Sequence, residues 1–311
     1  MIISTKNLYW NNIRQQPLNQ RLGAAPAEII AHIASVNAVS GLQQQASACE
    51  VPLDFLHDVR CAMNEIPECV QLLLDQPLLG VFFGKGFGSS AITDVVVDPD
   101  GKFIGLVTAV DIEMLFDRSA NQWATWKENT PFLDGTYQVQ AVIEEAHNDN
   151  RKNAIQYLLL HEFGHVLTAV NTFLPHWWTD PQWFKSTEEY SFLPISWQFN
   201  LAQQIIPLIK DDFELRKHVC YYTDKKLPND QISEVYEALG KTRFPTLYAA
   251  TNAYDDFAES FVSYVHSVLM KKPLEIRVVL DGVIVMTHEN YWESKRATDK
   301  LNILQTYLRS P

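Results

Sequence analysis

The sequence predicts a mixed fold of the α+β class, and three observations carry that expectation. Residues 154–170, AIQYLLLHEFGHVLTAV, give one long apolar helix signal whose only acidic, basic or histidine side chains are His161, Glu162 and His165. Two β-branched stretches fold back on turn residues, one around Pro99, Asp100 and Gly101 and the other at Asp281 and Gly282. The C-terminal half reads as mostly helical.

In chain order, residues 1–24 are polar and read as irregular. Pro26 opens a helix, PAEIIAHIASVN, with Ile29, Ile30 and Ile33 on one side. Two short helices follow, Pro52 to Glu65 and Pro67 to Asp75, each started by proline. From Leu78 the chain turns to strand. VFFGKGFGSS departs from the order of a phosphate-binding loop, so its glycines are expected at a bend or a close backbone approach. Next comes the first hairpin, then a polar loop over 117–135, then a strand with Tyr137, Val139, Ala141 and Ile143 facing one way, or a helix beginning near Val139. That strand, or the hairpin before it, offers an edge on which an extended peptide can pair. HNDNRKN caps the apolar helix. Beyond it, PHWWTDPQWF reads as core aromatics or as the wall of an apolar pocket. Ser196–Lys210, Asp211–Tyr221 and Asn229–Leu239 read as helices, followed by the second hairpin and a closing helix from Tyr291 to Leu308.

With 311 residues, 47% of them hydrophobic, the chain can bury a sizeable core. A formal net charge of −12 argues against nucleic acid or an anionic membrane as partner, because both demand a basic surface. No apolar run reaches the 18 or so residues of a membrane span. The start, MIISTKNLYWNNIRQQ, lacks the pattern of a signal peptide, which favours the cytoplasm, although cargo of a dedicated secretion machine would look the same. Cys49, Cys61, Cys69 and Cys220 form no CxxC pair and are expected as free thiols.

The chemistry concentrates in HEFGH. His161 and His165 are four apart, so a helix projects both imidazoles from one face, at a spacing that can hold one Zn²⁺. Glu162 stands beside the first histidine, where a carboxylate can take a proton from a metal-activated water. A third ligand is needed. The richest stretch is LYAATNAYDDFAESF, residues 247–261, where Asp255 and Glu259 share a helix face. One would bind zinc while the other supports a ligand histidine.

These residues resemble the zinc metallopeptidases of the HExxH plus acidic-ligand (gluzincin) type, most closely the catalytic domain of anthrax lethal factor. The likeness rests on HEFGH at His161–His165, then on Tyr248, Thr251, Asn252, Asp255, Phe257, Ala258, Glu259 and Phe261 in the same relative order. It covers about 30 residues by the motif spacing alone. The resemblance implies a zincin-like core and an endopeptidase acting on a peptide or protein substrate. It also implies a site in which His161, His165 and Asp255 hold zinc, Glu162 is the general base, Tyr248 assists catalysis, and Glu259 supports a histidine or replaces Asp255. Asp255 stands where the family has glutamate. The gap of 90 residues from His165 to Asp255 (255 − 165) implies a helical insertion at about 172–246. The division expected is a helical N-terminal region over 1–77 and a catalytic region over 78–311. The alternative reading is a non-catalytic protein-binding module stabilised by zinc, which would close its metal with a fourth His or Cys.

Overall fold

The computed structural model describes residues 1–288 and 290–309. The chain runs β1 (Ile2–Ile3), α1 (Asn7–Arg14), β2 (Leu22–Ala24), α2 (Ala27–Ser40), β3 (Ser47–Ala48), α3 (Leu53–Asn64), α4 (Glu68–Leu74), β4 (Leu78–Lys85), β5 (Ala91–Val97), β6 (Phe103–Asp111) and α5 (Ile112–Leu115). It continues through α6 (Ala120–Asn129), β7 (Tyr137–Val142), α7 (Arg151–Ala169), α8 (Leu193–Ser196), β8 (Trp197–Phe199), β9 (Ile205–Pro207), α9 (Ile232–Leu239), α10 (Ala253–Tyr264), β10 (Glu275–Leu280), β11 (Val283–Thr287) and α11 (Thr298–Leu308). The α+β class is therefore as expected. No helix among the described residues is long and apolar enough to cross a membrane. The four cysteines are free thiols.

Two compact units divide the described residues, one made of residues 1–119 and 150–170, the other of residues 120–149 and the described residues from 171 to 309. The first unit is built on a six-stranded mixed sheet in the order β1-β5-β6-β4-β2, with β3 also paired to β4. No boundary falls at residue 77, because β1, β2 and β3 pair with β5 and β4 in one sheet. Alternation along the strands sorts the two faces. Val96, Val107 and Ala109 pack with Trp10, Ile29 and Ile33 of α1 and α2. Thr93 and Val95 of β5 and Thr108 of β6 therefore face the other way. The hairpin turn between β5 and β6 is made as its residues require: Asp98 accepts from the amides of Asp100 and Lys102, and Gly101 takes φ +80°. At Gly86, φ is +70° and a Cβ would lie 2.4 Å from the Gln45 carbonyl oxygen, so backbone approaches backbone there.

Residues 1–24 are ordered, contrary to the irregular segment expected. Their order comes from distant partners. Trp10 is fully buried against Phe82, and buried Arg21 donates to the carbonyls of Arg14, Gln16, Asp75 and Leu78 as well as to the Asp75 carboxylate. Five bonds to one guanidinium tie this segment to the start of β4, and no local periodicity announces them.

The second unit holds the antiparallel sheet β11-β10-β7 and the β8-β9 hairpin. The stretch 117–135 is not a loop, since α6 occupies Ala120–Asn129. Ala120, Trp123, Ala124 and Lys127 recur at helical spacing and are buried. The polar residues that disguise the helix form a second stripe, Asn121, Thr125 and Asn129, which bonds the edge of β7 not paired with β10. Asn129 exchanges two bonds with Val139, Thr125 accepts from the Ala141 amide, and Asn121 accepts from the Ile143 amide. Asn229 does the same for Tyr137. This side-chain ladder occupies the outer edge of β7, so an added peptide strand cannot use it.

Two other expected helices are absent. Residues 196–210 form the β8-β9 hairpin, because Asn200 accepts from the amides of Ala202 and Gln204 and Gln203 adopts φ +58° in the turn. Residues 211–221 contain only short 3₁₀ turns, fixed by the Asp211 carboxylate, which pairs with the Arg243 guanidinium and accepts from its amide. The expected insertion over 172–246 is accordingly helical only in α8, α9 and short 3₁₀ turns. The closing helix is shorter than Tyr291–Leu308, with two 3₁₀ turns before α11 begins at Thr298.

At the C-terminal end of α10 a π-helical turn, Val265–Leu269, places His266 in the core, where its Nε2 bonds the carbonyls of Ile143 and Pro273. Burial, with the Lys272 charge adding to it and the two carbonyls and Glu144 opposing, lowers its pKa to about 4. The unfolded chain takes up this proton near pH 6.5 and the folded chain only near 4, so stability falls as pH drops through that window. The loss reaches about 3 kcal/mol by the low end of the window. Urea unfolding of wild type and His266→Gln from pH 7 to pH 4 checks it, and the wild type should show the steeper decline.

Candidate metal and catalytic site

The first unit carries His161, Glu162 and His165. Asn150 starts α7 by accepting from the Asn153 amide, and the helix then packs against α3 and β5. Nearly every side chain along it is buried, including His161 and Glu162, which are 5% and 4% exposed. His165 is half-buried. Burying this triplet is costly unless each member has polar work to do.

The two imidazoles meet through one atom each. His161 Nε2 and His165 Nε2 lie 3.2 Å apart, with ring planes at 79°. Two nitrogens bound to one tetrahedral zinc at 2.0 to 2.1 Å stand about 3.3 Å apart. The donor set thus fits zinc: two imidazole nitrogens at the spacing one ion imposes. Glu162 turns its carboxylate toward the sheet, where Oε2 accepts from Thr93 Oγ1 at 2.7 Å.

The second unit carries Tyr248, Asp255 and Glu259. Asn252 caps α10 by accepting from the amides of Tyr254 and Asp255. Its side-chain amide and the Thr251 hydroxyl both donate to Asp255 Oδ2, which fixes the half-buried carboxylate in the first turn of the helix. One turn on, Glu259 is 1% exposed and doubly bound: Lys127 Nζ lies 2.8 Å from Oε1, and Thr246 Oγ1 lies 2.8 Å from Oε2.

Lys127 was not legible as a functional residue, since α6 was read as loop. Its burial disfavours the charge, but the carboxylates of Glu259 and Glu128 outweigh this and raise its pKa. Burial pushes Glu128 up while Lys127 opposes, and the hydroxyls of Tyr221 and Tyr236 donate to Glu128 Oε2. The same ammonium sits 4.4 Å from the centroid of the Tyr248 ring, which also meets the rings of Tyr221 at 4.6 Å and Tyr222 at 6.3 Å. Tyr248 is therefore held by a cation–π contact and an aromatic pair rather than left to swing.

The tryptophan-rich stretch is not core. Trp183 is 72% exposed, while Trp177 and Trp178 are half-buried and pack edge to face. Trp177 also meets Tyr254, the residue before Asp255, at 5.9 Å. His176 stacks on Trp178, and burial lowers its pKa.

No protein-family model, no curated protein and no solved structure matches the chain.

Proposed function

We propose that the chain is a zinc-dependent endopeptidase with a zincin-like core, in which His161 and His165, with Asp255 as the third ligand, would bind one Zn²⁺. The observation that carries this reading is the 3.2 Å approach of two Nε2 atoms on a buried helix that also buries the Glu162 carboxylate. Asp255 is preferred to Glu259 because both oxygens of Glu259 are engaged by Lys127 and Thr246.

Bound zinc supplies Lewis acidity, making water acidic enough to lose a proton near neutral pH and polarising a carbonyl. Glu162 takes that proton and returns it to the leaving amine, the double duty of a buried general base. Tyr248 donates a hydrogen bond as charge develops on the carbonyl oxygen, a contribution of about 3 to 4 kcal/mol when the donor is held in advance. Lys127 and Tyr221 do the holding. An extended substrate suits the edge of β5 opposite β6, where β1 pairs only at Val96 and Val97 among the described residues.

A non-catalytic zinc-stabilised module would instead close its metal with a fourth His or Cys. Elemental analysis tests the reading directly. Wild type should carry about one zinc per chain, His161→Ala and Asp255→Asn should lose most of it, and Glu259→Gln should keep it with affinity lowered about 10- to 100-fold. Equal zinc in all four proteins would dismiss the site. Loss in Glu259→Gln with retention in Asp255→Asn would move the ligand to Glu259.

A further inference from the structure

We propose that Thr93, backed by Thr108, is a positioning residue for Glu162: its hydroxyl occupies Oε2 and reserves Oε1 for the proton in transit. The inference rests on the peptidase reading and adds to it two residues from a different part of the fold.

Thr93 of β5 and Thr108 of β6 are directly opposed in the antiparallel register. Both face the side of the sheet on which α7 packs, and their hydroxyls are 2.8 Å apart. Thr93 Oγ1 lies 2.7 Å from Glu162 Oε2 and 3.4 Å from the Glu162 carbonyl oxygen. Each hydroxyl has one hydrogen. The Thr93 hydrogen goes to the nearer oxygen, Oε2. This leaves Thr93 as the acceptor from Thr108, which settles the direction of the pair: Thr108 donates to Thr93, and Thr93 donates to Glu162.

Two consequences follow for the base. A charge-assisted bond to one oxygen of a carboxylate restricts rotation about its terminal torsion, so the other oxygen keeps a fixed direction. With Oε2 already receiving a hydrogen from Thr93, Oε1 is the oxygen assigned to the reaction. Thr108 is fully buried, so water does not compete for the donor behind Thr93. A residue that only stabilised the sheet would have no reason to turn its hydroxyl to the one carboxylate on α7 that the reaction needs.

Three variants test this: Thr93→Val, which removes the hydroxyl at nearly constant shape, Thr93→Ser, which keeps it, and Thr108→Val, which removes the donor behind it. The probe is a mixture of internally quenched fluorescent peptides, with zinc content, urea unfolding and crystal structures measured on the same preparations. Thr93→Val should bind zinc as wild type does and lose about 10- to 100-fold in kcat with KM within about twofold, while Thr93→Ser returns to within about threefold of wild type. Thr108→Val should lose a smaller factor in the same parameter. In the Thr93→Val crystal the Glu162 carboxylate should leave its present orientation. Unchanged kcat, no rescue by serine, or a loss that appears as lost zinc or lost fold would overturn the proposal. If Thr93→Val fails to fold, Thr93→Ser and Thr108→Val decide by the same criteria. If wild type binds zinc and cleaves none of the peptides, the peptidase reading fails. The positioning claim then stands or falls on whether the Glu162 carboxylate moves in the variant crystal.

Discussion

Replacing Glu162 by Gln should leave zinc content and unfolding midpoint unchanged and lower peptide hydrolysis at least about 100-fold. Glutamine has the shape of glutamate, and its amide oxygen can accept from Thr93 as Oε2 does now. It cannot accept the proton that leaves water. The Glu162 carboxylate bonds Thr93 and is not one of the proposed metal ligands, so metal affinity is not expected to fall with activity. The measurement is steady-state turnover of a peptide first shown to be cleaved by wild type, beside zinc analysis of both proteins. A wild-type rate in Glu162→Gln would remove the catalytic reading and return weight to a zinc-stabilised binding module. Loss of zinc in the variant would make Glu162 part of the metal's support rather than its base.

The parts of this architecture that were legible in the sequence are those whose cause is local. Proline at the first turn and an apolar stripe fix α2, α3 and α4. Asp98 and Gly101 fix one hairpin, and Asp281 and Gly282, both at positive φ, fix the other. HEFGH needs only the periodicity of its own helix to bring two nitrogens together. What was missed depends on partners far along the chain. The polar stripe of α6 reads as loop until β7 is placed beside it, and its asparagines then prove to be ladder bonds. Asn200 turns a helical pattern into a hairpin, a choice that a helix-spacing argument alone cannot see. Lys127 comes to Glu259 across 132 residues and Thr93 comes to Glu162 across 69, separations at which sequence spacing carries no signal. The nearest available signal for Thr93 was its place opposite Thr108 in a readable hairpin.

The largest stability effect is expected at Lys300, far from this chemistry in the chain. Lys300 of α11 and Asp256 of α10 form an ion pair with both side chains fully buried. Trp197 Nε1 donates to the second Asp256 oxygen at 2.9 Å, and the ammonium lies over the rings of Phe192 and Phe244. Burial raises the Asp256 pKa, with Lys300 opposing, and burial lowers that of Lys300, with Asp256 opposing. Lys300→Met keeps the length and the apolar contacts but leaves a carboxylate in the core without its cation, which should cost about 3 to 5 kcal/mol at pH 7. The double variant Lys300→Met with Asp256→Asn removes both charges and keeps an acceptor for Trp197, so it should recover most of that loss. The pH dependence separates this cause from simple loss of packing. Without Lys300, the folded pKa of Asp256 climbs further above its unfolded value of about 3.9. A group raised in the folded state contributes fully below its unfolded pKa, and that contribution is lost as pH rises through the folded one. The gap between wild type and Lys300→Met should therefore be smallest near pH 4 and widen toward pH 7, read by urea unfolding at each pH. A gap that stays constant across that range would mean that the packing of the lysine stem, not the stranded charge, is what the substitution removes.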